Sequence, residues 1–204
     1  MKSRWILSTM FGAIPVLMVS LFLGAASSAI ADPGERNFLV TEEVYVLPDV
    51  TLVDSAGDPV RFSDITDETE RTVISFIFTS CAGICPMITA NMARAVPALD
   101  QIGNDYQILL ISVDPEYDTP ARLAEYADRF GTGPRIRLLT GDRGDVFKVL
   151  RSLEALYEGS NKMNHQPVTL ISSHEPGGWT RIDGLIGSEV LIEQYRRVVS
   201  GSPG

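Results

Sequence analysis

The fold of this chain is decided by the stretch Val73-Ile74-Ser75-Phe76-Ile77-Phe78-Thr79-Ser80-Cys81-Ala82-Gly83-Ile84-Cys85-Pro86. It opens with a nearly continuous run of apolar, β-branched and aromatic residues, which is typical of a strand buried on both faces of a parallel sheet. After the two cysteines, apolar residues recur at helical spacing: Ile88, Met92, Val96 and Leu99. The stretch therefore predicts strand, cysteine loop and helix, with the cysteines at the strand's carboxyl end, where open α/β sheets place their sites.

Strand and helix patterns continue on both sides of this stretch. The apolar runs predict strands at 107–113 and 135–139, each followed by an amphipathic helix, and a last helix capped by Ser188. Two hairpins are predicted, at 50–62 near the N-terminus and at 168–183. The alternation predicts an α/β three-layer sandwich, with a mixed, mostly parallel sheet flanked by helices and an N-terminal hairpin. A thioredoxin-like arrangement is one candidate among such folds.

Composition limits the classes of function. The 204 residues carry a net charge of −9, which argues against nucleic acid or anionic lipid as the main partner. Two cysteines and two histidines are too few for a disulfide framework or an array of zinc fingers. Any sulfur or imidazole chemistry must therefore use very few positions.

The first 31 residues are predicted to lie outside the fold. Lys2 and Arg4 precede an uncharged run over 5–31, which ends in the small-x-small pattern Ala29-Ile30-Ala31. This pattern predicts a secretory signal peptide, and an uncleaved membrane anchor is the alternative. Either one predicts a periplasmic location, soluble after cleavage or anchored to the inner membrane. We expect a tether over 32–48 and one domain over 49–204.

Both thiols belong to the Cys81-x-x-x-Cys85-Pro86 motif. Proline favours the first helical position, so we expect Cys85 to cap the helix and Cys81 to lie in the loop before it. The positive end of the helix dipole would lower the pKa of such thiols. Three interpretations remain open: a structural disulfide, a redox dithiol of a thiol–disulfide oxidoreductase or thiol peroxidase, and a site for a soft metal ion such as Cu(I) or Zn(II).

The two histidines are predicted to differ in role. His165 directly precedes the predicted strand at 168–172, and in a thioredoxin-like sheet that point adjoins the cysteine loop. It is therefore the candidate third metal ligand. His174 lies in a hairpin rich in glycine and proline, where we expect it to be exposed and inert.

These residues together resemble the SCO/SenC family of copper-handling proteins for cytochrome oxidase assembly. The likeness rests on the Cys81–Pro86 motif, on Ile111-Ser112-Val113-Asp114-Pro115-Glu116-Tyr117-Asp118-Thr119-Pro120, on Leu139-Thr140-Gly141 and on the spacing from Cys85 to His165. It covers roughly 50–195. The chain departs from the family pattern at Ala82, where proline is common, and at Asn164-His165-Gln166, where Asp-His-Ser is common.

The resemblance implies a thioredoxin-like fold and a copper ion, Cu(I) with Cu(II) as an alternative, bound by Cys81, Cys85 and His165. It also implies delivery to the copper A site of a respiratory oxidase, so the expected partner is the copper-bearing oxidase subunit or another copper chaperone. On this interpretation the chain is a metallochaperone without catalytic residues, and redox work by Cys81 and Cys85 is the enzymatic alternative. Pro167 resembles in placement the proline that thioredoxin-like proteins hold in the cis form.

Overall fold

The structure is a computed structural model, and it describes residues 38–156 and 166–201. The chain divides into two units, Met1–Glu35 and Arg36–Gly204, and every described residue belongs to the second. Within the described ranges no helix is both long and apolar enough to cross a membrane. The predicted leader lies outside these ranges, so the prediction of a signal peptide or anchor stays a prediction.

The described part of the chain contains eight strands and four α-helices. In chain order they are β1 (Leu39–Val44), β2 (Thr51–Asp54), β3 (Pro59–Arg61), β4 (Arg71–Ile77), α1 (Ile84–Ile102), β5 (Tyr106–Ser112), α2 (Pro120–Phe130), β6 (Ile136–Thr140), α3 (Arg143–Ser152), β7 (Val168–Ser172), β8 (Gly178–Asp183) and α4 (Ser188–Ser200).

One mixed sheet contains all of these strands, in the order β1-β8-β7-β4-β5-β6-β2-β3. The predicted α/β architecture and the hairpin of β2 and β3 are confirmed. The expectation of a mostly parallel sheet is wrong, because among the described strands only the β4–β5 and β5–β6 pairings are parallel. Parallel pairing needs a helical crossover, and only α1 and α2 join neighbouring strands in this way.

The core lies against β4 and β5, in which every residue is buried. Because crossovers between parallel strands are almost always right-handed, α1 and α2 lie on the same face of the sheet, where they contact each other, and α4 packs against α1. Because the central strands are buried on both faces, their carboxyl ends are held rigidly. The loops that leave those ends include the cysteine motif after β4 and the 113–119 loop after β5.

Besides the directions of the strands, three features differ from the sequence predictions. The predicted cap Ser188 is the first residue of α4, and the N-cap of that helix is Gly187. Part of the predicted tether forms β1, which pairs antiparallel with β8 from Leu39↔Asp183 to Val44↔Gly178. This pairing covers the backbone groups of β8 that would otherwise form an open sheet edge. In addition, no described peptide bond is cis, so the hypothesis of a cis bond before Pro167 is wrong.

Candidate metal centre

The cysteine motif lies between the end of β4 and the first turn of α1. The helix begins at Ile84 with Gly83 as its N-cap, so Cys85 is the second helical residue rather than the cap. The sequence predicted Pro86 at the first helical position. A proline is tolerated at several positions of the first turn, because the backbone N–H groups there have no partner within the helix. Cys81 lies in the loop, as predicted.

The two sulfur atoms interact directly. Both cysteines are free thiols, and interaction with the Cys85 thiol lowers the pKa of Cys81. Cys81 keeps 8% of its surface exposed, whereas Cys85 is completely buried. Both cysteines are therefore buried, and only Cys81 retains some accessible surface.

Opposing effects act on the Cys81 thiol. Its partial burial acts to raise its pKa, but hydrogen bonding to Cys85, through its backbone N–H and its thiol, acts against that effect. Backbone N–H groups of Gly83 and Ile84 add to the same stabilisation. The pKa of Cys81 is therefore below its ordinary value, which favours the thiolate, the form that binds soft metals and attacks disulfides.

The Cys85 thiol is shifted the other way. Burial raises its pKa to about 12, although the backbone N–H of Phe78 opposes the shift. Hydrogen bonds also fix the first turn of α1. The hydroxyl of Thr89 donates to the Cys85 carbonyl at 3.0 Å, and it lies 3.1 Å from the hydroxyl of Tyr126. Cys85 is thus the protonated partner of the pair in the metal-free protein.

A buried carboxylate fixes the loop before Cys81, and the sequence analysis did not single it out. Asp118 has no exposed surface. Its carboxylate accepts hydrogen bonds from the backbone N–H of Thr79 at 3.0 Å, from the Thr79 hydroxyl and from the Ser112 hydroxyl at 2.6 Å. The only sequence signal was its place in the 111–120 segment, which carried the family resemblance rather than a predicted role.

The donor set suits a soft ion but is incomplete among the described residues. Within residues 38–156 and 166–201 no group of three or more His, Cys, Asp and Glu residues could hold a metal ion. The two adjacent sulfurs are the ligand type that Cu(I) favours. His165, the predicted third ligand, lies outside the described residues, so its role stays a prediction.

The family of the chain follows from a match to a protein-family model. The model described as SCO1/SenC matches residues 41–200. The chain belongs to this family. The match covers the whole sheet apart from the start of β1, all four helices and both cysteines, so the resemblance seen in the sequence motifs is confirmed.

Individual relatives agree with this assignment. The SCO1 homolog of human mitochondria is 36% identical over 92 residues, covering 44% of this chain and 30% of that protein. The protein SenC of Rhodobacter capsulatus is 30% identical over 121 residues, covering 59% of this chain and 52% of that protein. The chain thus spans about half or less of the length of these curated relatives.

Solved structures show the same fold. The Arabidopsis thaliana ScoI structure, described as having copper bound, matches with a TM-score of 0.66 at 24% identity and covers 76% of this chain and 99% of that one. The yeast Sco1 structure matches with a TM-score of 0.63 at 21% identity, covering 78% and 98%. The predicted thioredoxin-like α/β fold is therefore confirmed.

Proposed function

We propose that this SCO1/SenC family member binds a copper ion through Cys81, Cys85 and His165 and serves as a metallochaperone in cytochrome oxidase assembly. The observation that carries the proposal is the pair of free thiols before and within the first turn of α1, of which Cys81 has a lowered pKa. Two such thiolates bind Cu(I) strongly, and copper binding would release the proton that Cys85 retains. The copper-bound relative from Arabidopsis supports the same assignment.

The register of β7 supports a contribution from His165. β7 pairs antiparallel with β4, with Ser75 opposite Thr169, and the Ser75 hydroxyl donates to the Val168 carbonyl at 2.8 Å. The chain therefore enters β7 at the end of β4 from which the cysteine loop leaves. Pro167 follows His165 by two residues, which span at most about 7 Å of extended chain. That length is consistent with an imidazole that reaches the sulfurs.

Anaerobic titration of the full chain with Cu(I) tests the site. We expect one copper per chain, with an ultraviolet thiolate-to-copper absorption band, and loss of that band in Cys81→Ser and in Cys85→Ser. Met87→Leu is the matched control, because Met87 is another sulfur residue of the first turn, 52% exposed. Unchanged stoichiometry in both cysteine variants would contradict the proposal.

Delivery to the copper A site of a respiratory oxidase is the proposed use of this copper. The acidic chain, with a net charge of −9, would favour a client surface of positive potential. We expect cells that lack the chain to lose copper A absorbance in their oxidase, and wild-type chain but not Cys81→Ser to restore it. Full copper A absorbance without the chain would refute this use.

The proposed location is the periplasm, with residues 1–31 as a signal peptide or anchor. A fusion of these residues to alkaline phosphatase, an enzyme that is active only outside the cytoplasm, tests the location. We expect phosphatase activity from the fusion, and loss of that activity when charged residues interrupt the apolar run over 5–31. An inactive fusion would show that the segment does not export its cargo.

A redox function is the second candidate, and the opposite pKa shifts of the thiols favour it. A Cys81 thiolate can attack a client disulfide, and Cys85 can then displace the client thiol. This exchange leaves a Cys81–Cys85 disulfide and a client reduced by two electrons and two protons. Such exchange does not need an imidazole ligand, so retained reductase activity in His165→Ala, with lost copper binding, would separate the two functions.

A further inference from the structure

A network of hydrogen bonds centred on Arg181 holds the chain on both sides of the 157–165 segment, which contains His165 and lies outside the described residues. Arg181 belongs to β8, and only 11% of its side chain is exposed. Its guanidinium donates to the carbonyl of Leu153 at 2.9 Å and to that of Glu154 at 3.2 Å. These two residues directly follow α3, so the guanidinium fixes the chain shortly before the segment begins.

The backbone at Glu154 needs such support. Its φ is 51°, and it is the one residue other than glycine with a positive φ in the part of the chain that the structure describes. Its N–H donates to the Arg151 carbonyl, and the N–H of Ala155 donates to the Leu150 carbonyl, which closes the end of α3. Glycine usually occupies this position of a helix end, because a side chain disfavours the left-handed conformation. A glutamate keeps that conformation only where its surroundings enforce it, and the bond from Arg181 to its carbonyl is part of that constraint.

The same guanidinium is tied to the chain that leaves the segment. Its Nε donates to both carboxylate oxygens of Asp183, at 3.0 and 2.9 Å. Asp183 lies opposite Val168, the first residue of β7, and the N–H of Gly184 donates to the Pro167 carbonyl at 2.9 Å. The chain therefore enters β7 beside the carboxylate that pairs with Arg181, at the end of β4 from which the cysteine loop leaves.

The guanidinium of Arg181 is fully used by the protein itself. Besides the bonds given above, Nη1 donates to the hydroxyl of Tyr45 at 3.1 Å and Nη2 donates to Asp183 at 2.8 Å. Each of its N–H groups thus has an acceptor, in the planar arrangement that only a guanidinium offers. Because no donor is left for a ligand, the geometry indicates that this side chain joins segments of the chain.

We propose that Arg181 is a positioning residue for the copper site, because it joins the chain before and after the 157–165 segment and thereby limits the positions open to His165. The inference rests on the proposed role of His165 as a copper ligand. A ligand that is held near its bound position loses less conformational entropy on binding, so the affinity that His165 contributes depends on Arg181. None of the hydrogen bonds that Arg181 makes among the described residues reaches the cysteine motif.

A double-mutant cycle on the full chain tests the proposal. Anaerobic competition with a Cu(I) chelator gives the copper affinity of wild type, Arg181→Gln, His165→Ala and the double variant. We expect Arg181→Gln to weaken copper binding about fivefold when His165 is present and to change nothing in the His165→Ala background. A general loosening of the fold would weaken binding in both backgrounds. An equal loss in both, or no loss in either, would therefore overturn the proposal.

Two further variants make the test specific. Arg137→Gln is the matched control, because Arg137 is paired with Asp54 and Glu68, and we expect it to leave the copper affinity unchanged. A loss as large as that in Arg181→Gln would overturn the proposal. Arg181→Lys keeps the positive charge but has fewer donors, so it should show a smaller loss with the same dependence on His165. This variant decides the matter if Arg181→Gln fails to fold.

A second measurement separates the proposal from a general effect on the thiols. The pH midpoint for alkylation of Cys81 should keep its wild-type value in Arg181→Gln, and a shifted midpoint would overturn a role that acts through His165. Wild-type copper affinity in His165→Ala has a different meaning, because it would contradict the ligand set of the proposed function itself.

Discussion

The buried carboxylate of Asp118 accepts a hydrogen bond from the backbone N–H of Thr79 at 3.0 Å. Thr79 lies two residues before Cys81, and Asp118 directly precedes Thr119, the N-cap of α2. The loop after β5 therefore holds the loop after β4, so the position of the Cys81 thiol depends on a carboxylate of another segment. Because charged acceptors make stronger hydrogen bonds than neutral ones, this connection is a main determinant of the site's geometry.

Removing this carboxylate should destabilise the protein. Asp118→Ala leaves the Thr79 N–H, the Thr79 hydroxyl and the Ser112 hydroxyl without their acceptor, and we expect a loss of about 3 kcal/mol in the free energy of unfolding. Asp118→Asn should cost less, because an amide can still accept two of these bonds. Urea unfolding of the full chain measures both. Asp128→Ala, at an exposed position of α2, is the control. Equal stability of Asp118→Ala and wild type would show that the hydrogen bonds between Asp118 and Thr79 contribute nothing to stability.

The two thiols should differ in reactivity. Because the pKa of Cys81 is lowered and that of Cys85 is raised to about 12, iodoacetamide should modify Cys81 first at neutral pH. Cys85→Ser replaces the thiol that donates to the Cys81 sulfur with a hydroxyl, whereas Cys85→Ala removes this donor. Because the donor lowers the pKa of Cys81, the midpoint of Cys81 alkylation should move to higher pH in Cys85→Ala. Mass spectrometry across a pH series measures this. Faster modification of Cys85 would contradict the described hydrogen bonding.

Alkaline pH should unfold the protein cooperatively. Burial raises the pKa of Tyr126 and of Tyr195 to about 12 each. A raised pKa means that the folded state favours the protonated phenol. The stability that each buried phenol contributes is therefore complete below about pH 10, the pKa of tyrosine in the unfolded chain. It is lost as the pH rises from there through 12. Tyrosinate absorbance and circular dichroism should change together, and full ionisation of the tyrosines with intact circular dichroism would contradict their burial.

The sequence predicted the centre of the fold and the cysteine site for a common reason. The buried run before Cys81 and the helical spacing after it are local patterns, and local patterns determine strands, helices and the loop between them. The hairpin of β7 and β8 was predictable in the same way, from the turn residues between two apolar runs. These elements needed no knowledge of distant contacts.

Features that depend on distant contacts were missed. β1 lies in a stretch of mixed polarity and is a strand because β8 offers it an edge. Asp118 appears in the sequence as one carboxylate among many, and only the folded chain brings it to Thr79. The capping residue of α1 also escaped prediction, because proline is compatible with several positions of the first turn. Each of these was decided by a partner distant in sequence or by a choice between similar backbone positions.

The most direct test of the proposed site compares the two histidines of the chain. A competition titration with a Cu(I) chelator, done anaerobically on the full chain, gives the copper affinity of wild type, His165→Ala and His174→Ala. The account predicts at least a tenfold loss of affinity in His165→Ala and none in His174→Ala, whose side chain contacts Arg71 at the other end of β4. Wild-type affinity in His165→Ala would contradict the three-ligand copper site.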